Sequence, residues 1–223
     1  MTVKLFIQAI TKFILGIILV GALIFLPAGT WQFANGWLLM GILFVPMFGA
    51  GLVMLRKSPD LLKSRLQAKE KQKEQNMVVK LSGLMFLAGF ILAGLDFRFG
   101  WLPLPDWVTW VAAAVFLAAY ILYAEVLREN AYLSRTIEVQ ENQKVVDTGL
   151  YGIVRHPMYS ATILLFLSIP LVLGSWAGFV IFLPYPLLLV RRIHNEEKLL
   201  EEGLPGYREY KSRVRWRLFP FLW

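Results

Sequence analysis

The sequence predicts an all-α fold, a polytopic bundle of about six transmembrane helices that includes a C-terminal helical hairpin. Of its 223 residues, 57% are hydrophobic and 17% are charged, and the mean hydropathy is +0.58. Soluble domains are about a quarter charged. Apolar runs recur along the whole chain, whereas a signal peptide would leave a single run near the N-terminus.

A helix needs about 20 mostly apolar residues to cross the bilayer core. The predicted crossings are 5–26, 36–55, 78–95, 107–127, 158–173 and 176–190. The last two are short and are separated only by Gly174 and Ser175, so they predict a tight hairpin. Pro170, Pro184 and Pro186 are expected to kink or shorten its arms.

The basic residues predict the orientation. With six crossings, all but Arg98 of the 23 lysines and arginines fall on one side. The positive-inside rule then places both termini in the cytoplasm, with Trp31, Trp37, Trp101 and Trp107 near the opposite interface. The net charge of +8 is therefore attributed to cytoplasmic loops and anionic lipid rather than to nucleic acid.

Composition also limits the chemistry. The chain has no cysteine, which excludes disulfides, thiolate metal sites and cysteine nucleophiles. His156 and His194 are the two histidines, too few for a histidine-based metal site. The polar stretch 58–75 is expected to form an amphipathic or solvated cytoplasmic helix.

One candidate site is the segment 140–159, QENQKVVDTGLYGIVRHPMY. It is polar and leads directly into an apolar helix, and Pro157 suits the first position of that helix. His156 would then lie at the helix entrance, where free backbone N–H groups can hold a carboxylate such as that of S-adenosylmethionine. The alternative is an ordinary helix cap at the membrane interface.

A second candidate is the segment 191–200, RRIHNEEKLL. Arg192 and Glu196 are one helical turn apart and could form a surface pair worth a few tenths of a kcal/mol. Ionisable groups where a membrane helix leaves the bilayer are nevertheless functional candidates. The arginine could hold a substrate carboxylate through two parallel N–H bonds. Glu125, in the fourth apolar segment, is a third candidate, with snorkelling to the interface as the alternative.

The tail reads GLPGYREYKSRVRWRLFPFLW, with Tyr207 and Tyr210 about one turn apart. Its basic side chains suit an amphipathic helix lying on anionic lipid. Its terminal aromatic residues are expected to anchor at the interface.

Three strings, VVDTGLYGIVRHPMY, RIHNEEKLL and GYREYKSRVRWRLFP, resemble the isoprenylcysteine carboxyl methyltransferases and their prokaryotic relatives. The resemblance covers about 138–220, and it is specific in combination: Arg-His-Pro-x-Tyr, followed at hairpin distance by Arg-Ile-x-x-Glu-Glu. It implies an integral membrane enzyme that depends on S-adenosylmethionine, with a cytoplasmic cofactor cleft. The methyl acceptor would be the carboxylate of a prenylated cysteine or a similar lipophilic molecule.

The resemblance also assigns roles. Residues implied to border the cofactor are Gln140, Gln143, Lys144, Val145, Val146 and Tyr151, and those implied at its amino-acid end are His156, Pro157, Met158 and Tyr159. Glu197 would approach the cofactor and Arg192 would face the accepting carboxylate, as the two catalytic residues. The chain would divide into helices 1–4 with their basic loop (1–130) and a part with the cofactor segment, hairpin and tail (131–223).

Four alternatives remain open at this point. The acceptor could be a phospholipid amine, which would need a base such as Glu197, or a small thiol. The chain could instead be a sterol-type membrane reductase, with Lys144 and Arg155 near the 2′-phosphate of NADPH, or a non-catalytic scaffold. A carboxylate acceptor needs no general base, so the protein would mainly position and desolvate the reactants.

Overall fold

The computed structural model describes residues 3–66, 73–133 and 139–223, and it confirms the all-α prediction. The helices are α1 (Val3–Ala28), α2 (Ala34–Lys57), α3 (Pro59–Leu66), α4 (Lys73–Phe99), α5 (Asp106–Glu129), α6 (Pro157–Val172), α7 (Trp176–Phe182), α8 (Tyr185–Gly203) and α9 (Tyr207–Arg213), with a 3-10 turn at Gly149–Gly152.

Within the described residues, five helical stretches are long and apolar enough to cross a membrane: Val3–Ala28, Ala34–Lys57, Asn76–Phe99, Asp106–Glu129 and Trp176–Gly203. The remaining predicted crossing is α6, which has 16 residues and is therefore only about 24 Å long. Its far end still reaches the opposite end of the bundle, where Thr109 at the start of α5 donates to the Leu171 carbonyl at 3.4 Å. Each of the six predicted crossings therefore corresponds to a helical stretch of the structure: five are long enough to cross a membrane, and the sixth, α6, is short.

The predicted hairpin turns at Gly174 and Ser175. Gly174 has a φ of +76°, a conformation that favours glycine. The Ser175 hydroxyl caps α7 by accepting from the Gly178 N–H at 2.9 Å and donates to Asp96 at 2.5 Å. Asp96 is buried and also accepts from the Leu102 N–H at 3.0 Å, so this polar cluster fixes the turn to the end of α4.

The second arm of the hairpin is interrupted at Pro184, as the proline predicted, but it extends beyond the predicted segment 176–190. It divides at Leu183 and Pro184 into α7 and α8, because a proline ring removes a backbone donor and breaks the helical ladder. After this break, α8 continues to Gly203. The charged stretch 191–200 is therefore the second half of a helix that begins among the apolar segments.

The bundle is apolar on both its inside and its outside. Ile24, Leu39 and Phe182 are fully buried at its centre, whereas Ile121 and Leu187 are more than two thirds exposed. Exposed apolar side chains on long helices suit a lipid environment. Within the polar stretch expected to be helical, α3 is observed and its Leu62 packs with Leu5 and Leu55, while 67–72 lies outside the described residues.

One end of the bundle gathers the sequence elements that carry polar chemistry, and we call it the basic end. It consists of the ends of α2, α5 and α8, the starts of α1, α4 and α6, and α3, α9 and the segments around them. The tail returns across the start of α6: the Arg155 N–H donates to the Trp216 carbonyl at 2.8 Å and the His156 N–H to the Arg217 carbonyl at 2.9 Å. This pairing places the C-terminal residues beside the segment that precedes α6.

Candidate functional site

A cleft at the basic end lies between the segment before α6, the first turn of α6, the second half of α8, and α9. It encloses about 100 Å³, less than the roughly 300 Å³ of a typical ligand pocket, so a larger ligand would also occupy its open side. Its walls are formed by Asn130, Tyr132, Leu133, Gln143, Lys144, Val145, Val146, Tyr151, Arg155, His156, Met158, Tyr159, Arg192, Glu196, Leu199, Leu200, Leu204, Tyr207 and Tyr210.

The structure brings most of the sequence-predicted site residues to this cleft. Those on its wall are Gln143, Lys144, Val145, Val146, Tyr151, His156, Met158, Tyr159 and Arg192. Gln140, Pro157 and Glu197 are not part of the wall. Gln140 shapes the loop instead, because its backbone N–H donates to the Gln143 side chain at 2.9 Å and its amide to the Tyr132 carbonyl at 2.6 Å.

The turn that presents Tyr151 is held by the end of α5. The Glu129 carboxylate accepts from the Leu150 N–H at 2.9 Å, and the Tyr151 hydroxyl accepts from the Asn130 amide at 3.0 Å. Gly149 makes this approach possible, since its φ is +53° and a Cβ there would lie 1.6 Å from a Glu129 oxygen. Gly149, the first glycine of TGLYG, thus allows Glu129 to hold the turn that orients Tyr151.

The predicted helix start is confirmed, because α6 begins at Pro157 with His156 as its N-cap residue. The imidazole does not cap the helix among the described residues. Its Nε2 instead lies 3.2 Å from Glu197 Oε1, and the ring stacks near Tyr159, with the centroids 5.7 Å apart. His156 therefore joins the cleft wall to the charged cluster behind it.

Arg192 and Glu196 are linked by a tyrosine from the neighbouring helix. Arg192 Nε donates to the Tyr159 hydroxyl at 3.0 Å, and that hydroxyl donates to Glu196 Oε2 at 2.5 Å. All three side chains lie on the cleft wall. The alternative of an inconsequential surface pair does not describe this arrangement, because both charged residues are part-buried and Tyr159 is buried.

Glu197 lies behind the wall rather than on it. It is 3% exposed, and its Oε1 accepts from Arg155 Nε at 2.8 Å. Its other oxygen accepts from Arg217 Nε at 3.2 Å and lies 3.7 Å from Lys211 Nζ. Consecutive helix residues point about 100° apart, so Glu196 faces the cleft while Glu197 faces the packed side of α8.

Arg155 shares this buried position and completes the cluster. Its Nη1 donates to the Val214 carbonyl at 2.7 Å and to the Arg215 carbonyl at 2.9 Å. We call the group formed by Glu197, Arg155 and Arg217 the charge clamp. Because Arg155 precedes α6, Glu197 belongs to α8 and Arg217 to the tail, the clamp joins three separate parts of the chain at the cleft.

Two tail tyrosines close the cleft from the side of α9. The Tyr210 hydroxyl donates to the Tyr151 carbonyl at 2.8 Å. Burial raises the pKa of the Tyr207, Tyr210 and Tyr151 phenols above their ordinary value, so all three remain protonated at neutral pH. Lys211 on the same helix pairs with Glu201, which ties α9 to the end of α8.

Glu196, within the candidate segment 191–200, and Arg155, considered only for a reductase, are both on the wall. The wall residues to which the sequence gave no role are Asn130, Tyr132, Leu133, Leu199, Leu200, Leu204, Tyr207 and Tyr210. The helical spacing from Arg192 through Glu196 to Leu199 and Leu200 could have identified those on α8. Glu125, the third candidate, is not a wall residue and pairs with Arg128 on its own helix.

The chemistry of the wall fits the parts of S-adenosylmethionine. Glu196 offers a carboxylate to a cationic centre. The first turn of α6 offers the Met158 N–H to a carboxylate, because Pro157 has no N–H and those of Tyr159 and Ser160 donate to the His156 carbonyl. Val145, Leu200 and Leu204 provide an apolar surface for a nucleoside. The Tyr207 hydroxyl is buried with no hydrogen-bond partner among the residues that the structure describes, as expected of a group whose partner is a ligand.

Comparison with known families supports a membrane methyltransferase. Residues 107–205, somewhat less than half of the chain, match the family model of the phospholipid methyltransferases. A search of curated proteins finds no match. The matched stretch begins in α5 and ends between α8 and α9, so it contains both predicted motifs. It does not single out the isoprenylcysteine enzymes and gives no support to the reductase alternative.

Proposed function

We propose that this chain is an integral membrane methyltransferase that uses S-adenosylmethionine and acts on the carboxylate of a prenylated cysteine or a similar lipophilic acceptor. The observation that carries the proposal is the Arg192–Tyr159–Glu196 arrangement on one wall of the cleft. It lies inside the stretch that matches a methyltransferase family. It also lies at the end of helices that are apolar enough to span a bilayer.

The wall residues divide into two groups by the part of the cofactor that they would contact. The first turn of α6 and the loop residues Gln143 and Lys144 would hold the amino-acid end of the cofactor, and Glu196 would lie near its positive charge. When bound, S-adenosylmethionine supplies a methyl group on a positively charged sulfur, which a carboxylate can accept without a general base. The protein's contribution is to position the two reactants and to exclude water.

Arg192 is the proposed acceptor-binding residue. Its Nε donates to Tyr159, which orients the planar guanidinium group. A guanidinium can hold a carboxylate through two parallel N–H bonds, and it would orient the acceptor without neutralising it by proton transfer. A lipophilic acceptor would enter from the bilayer, while the soluble cofactor would enter from the open side of the cleft, which we place in the cytoplasm together with both termini.

The family match and Glu196 favour a phospholipid amine as the second candidate acceptor. An ammonium group must lose a proton before it can accept a methyl group. Glu197, suggested by the sequence as the base, is held by Arg155 and Arg217 behind the wall. Glu196 lies on the wall and accepts a hydrogen bond from Tyr159, so it is the carboxylate that could take that proton.

The test is methyl transfer from labelled S-adenosylmethionine by purified protein to a panel of prenylated carboxylates, phospholipid amines and small thiols. We expect Arg192→Lys to lower turnover about 100-fold, since a lysine cannot reproduce the planar fork. Arg191→Lys, an exposed neighbour, is the matched control and should turn over at the wild-type rate.

The panel also separates the two acceptor classes. With a carboxylate acceptor, Glu196→Gln should keep a pH-independent rate in the neutral range. With an amine acceptor, the same variant should lose turnover most strongly at low pH, where a base is most needed. If a responsive acceptor is found and Arg192→Lys turns over like wild type, the assignment of Arg192 is wrong. If no acceptor in the panel is methylated, the proposed acceptor classes are wrong.

A further inference from the structure

The Tyr207 side chain has an unusual position in the cleft. It is 4% exposed, it contributes to the cleft wall, and its hydroxyl has no hydrogen-bond partner within the described part of the chain. Buried side-chain hydroxyls are almost always bonded, and leaving one without a partner is unfavourable. This hydroxyl therefore requires an explanation that the fold alone does not give.

Tyr210, one turn along the same helix, provides the contrast. It is equally buried, but its hydroxyl donates to the Tyr151 carbonyl at 2.8 Å and so holds α9 against the turn before α6. Tyr210 thus has a structural role that accounts for its hydroxyl. Tyr207 contributes its ring to the same packing, while its hydroxyl contributes no bond to it.

We propose that Tyr207 is a cofactor-contacting residue whose hydroxyl donates a hydrogen bond to the nucleoside part of S-adenosylmethionine. The proposal rests on the proposed function and extends it beyond the stretch that matches a methyltransferase family, which ends at residue 205. The C-terminal segment then completes the cofactor site.

The surroundings of Tyr207 select the nucleoside over the amino-acid end. Its ring packs with Leu204, Tyr210 and Val214, and with Val145 and Leu200 at the edge of the cluster. The charged side chains that act on the phenol are Glu197, Glu196 and Arg155, and each already has a partner, since Glu196 bonds to Tyr159 and Glu197 to Arg155. The amino-acid end of the cofactor carries two charges that are costly to bury against an apolar surface without partners. A purine and its ribose offer flat apolar surface together with hydrogen-bonding atoms, which suits a phenol at the edge of an apolar patch.

The fold holds the hydroxyl ready to donate. Burial raises the pKa of the Tyr207 phenol, so the proton is present throughout the neutral range. α9 begins after Gly206, whose φ is +84°. Lys211 and Arg217, which follow Tyr207 in the chain, both pair with Glu197. The position of Tyr207 is thus set by the same charge clamp that joins the tail to α6 and α8.

The experiment compares Tyr207→Phe with Tyr210→Phe in purified full-length protein. Calorimetric titration measures binding of S-adenosylmethionine and of 5′-methylthioadenosine, which retains the nucleoside and lacks the amino-acid end. Tyr207→Phe should weaken both ligands by the same factor, about tenfold, the value of one net hydrogen bond. Its thermal midpoint without ligand should equal or exceed that of wild type, because the deleted hydroxyl makes no internal bond.

Tyr210→Phe serves as the structural control and should lower the thermal midpoint, because it removes the bond to the Tyr151 carbonyl. Wild-type affinity in Tyr207→Phe, or a loss confined to S-adenosylmethionine, would overturn the proposal. A fall of the Tyr207→Phe midpoint to match that of Tyr210→Phe would also overturn it. Failure of the proposed function has a different signature, since the wild-type protein would then bind neither ligand.

Discussion

Replacing Glu197 with glutamine tests whether the charge clamp acts through structure rather than by touching the reactants. The carboxylate is 3% exposed and accepts from Arg155, whose side chain is 4% exposed. It also accepts from Arg217, whose side chain is 24% exposed. Glutamine keeps the shape and one oxygen, but it leaves the buried guanidinium without a countercharge.

The magnitude follows from the number and burial of these contacts. Removing one partner of a buried ion pair costs about 3–5 kcal/mol. Glutamine retains a neutral hydrogen bond to Arg155, and Arg155 keeps its bonds to the Val214 and Arg215 carbonyls. We therefore expect a loss of about 2–3 kcal/mol. For a chain of this size that corresponds to a midpoint lower by roughly 5–10 °C.

The assay is thermal unfolding of detergent-solubilised protein followed by tryptophan fluorescence, with methyl transfer measured well below the midpoint. Glu201→Gln is the matched control, because Glu201 lies one turn further along α8 and pairs with the part-exposed Lys211. Such a pair is worth at most about 1 kcal/mol. Glu197→Gln should lower the midpoint. Its turnover should fall only as far as the fraction of molecules with a displaced tail rises. A wild-type midpoint with turnover abolished would refute this reasoning and return Glu197 to direct contact with the cofactor.

Two further predictions concern the turn before α6 and the topology. Gly149→Ala should lower the free energy of unfolding by about 2 kcal/mol or more, from left-handed strain and displacement of Glu129. The control is Gly83→Ala, where no described atom lies within 4 Å of the new Cβ, and it should be neutral or stabilising. Thermal unfolding compares the two variants, and equal midpoints would refute the packing argument. Topology reporters fused after Thr30 and after Gly100 should read as non-cytoplasmic, and a cytoplasmic signal at either site would overturn the proposed orientation.

Local sequence signals predicted the framework of the site well. Pro157 marked the start of α6, and Gly174 with Ser175 marked the hairpin turn, because each depends on the backbone preferences of residues adjacent in sequence. The apolar runs likewise predicted the bundle, since crossing a bilayer imposes a fixed length. The break in the second arm was indicated by Pro184, although the continuation of α8 to Gly203 was not anticipated.

What the sequence did not predict depends on contacts between distant segments. Glu196 and Glu197 are adjacent, and their spacing alone did not decide which one faces the cleft. That choice follows from Arg155 and Arg217, which are 42 and 20 residues away from Glu197. Tyr207 lies on the cleft wall because the tail packs against the segment before α6. That contact joins residues far apart in sequence, so no local sequence pattern predicts it. The roles proposed for these residues, and the division of the chain at residue 130, stay predictions.

The most direct test of the central claim is calorimetric titration of the purified wild-type protein with S-adenosylmethionine and, separately, with NADPH. The account predicts saturable binding of S-adenosylmethionine at one site per chain, competed by S-adenosylhomocysteine, and no saturable binding of NADPH. Binding of NADPH without binding of S-adenosylmethionine, or binding of neither, would contradict it.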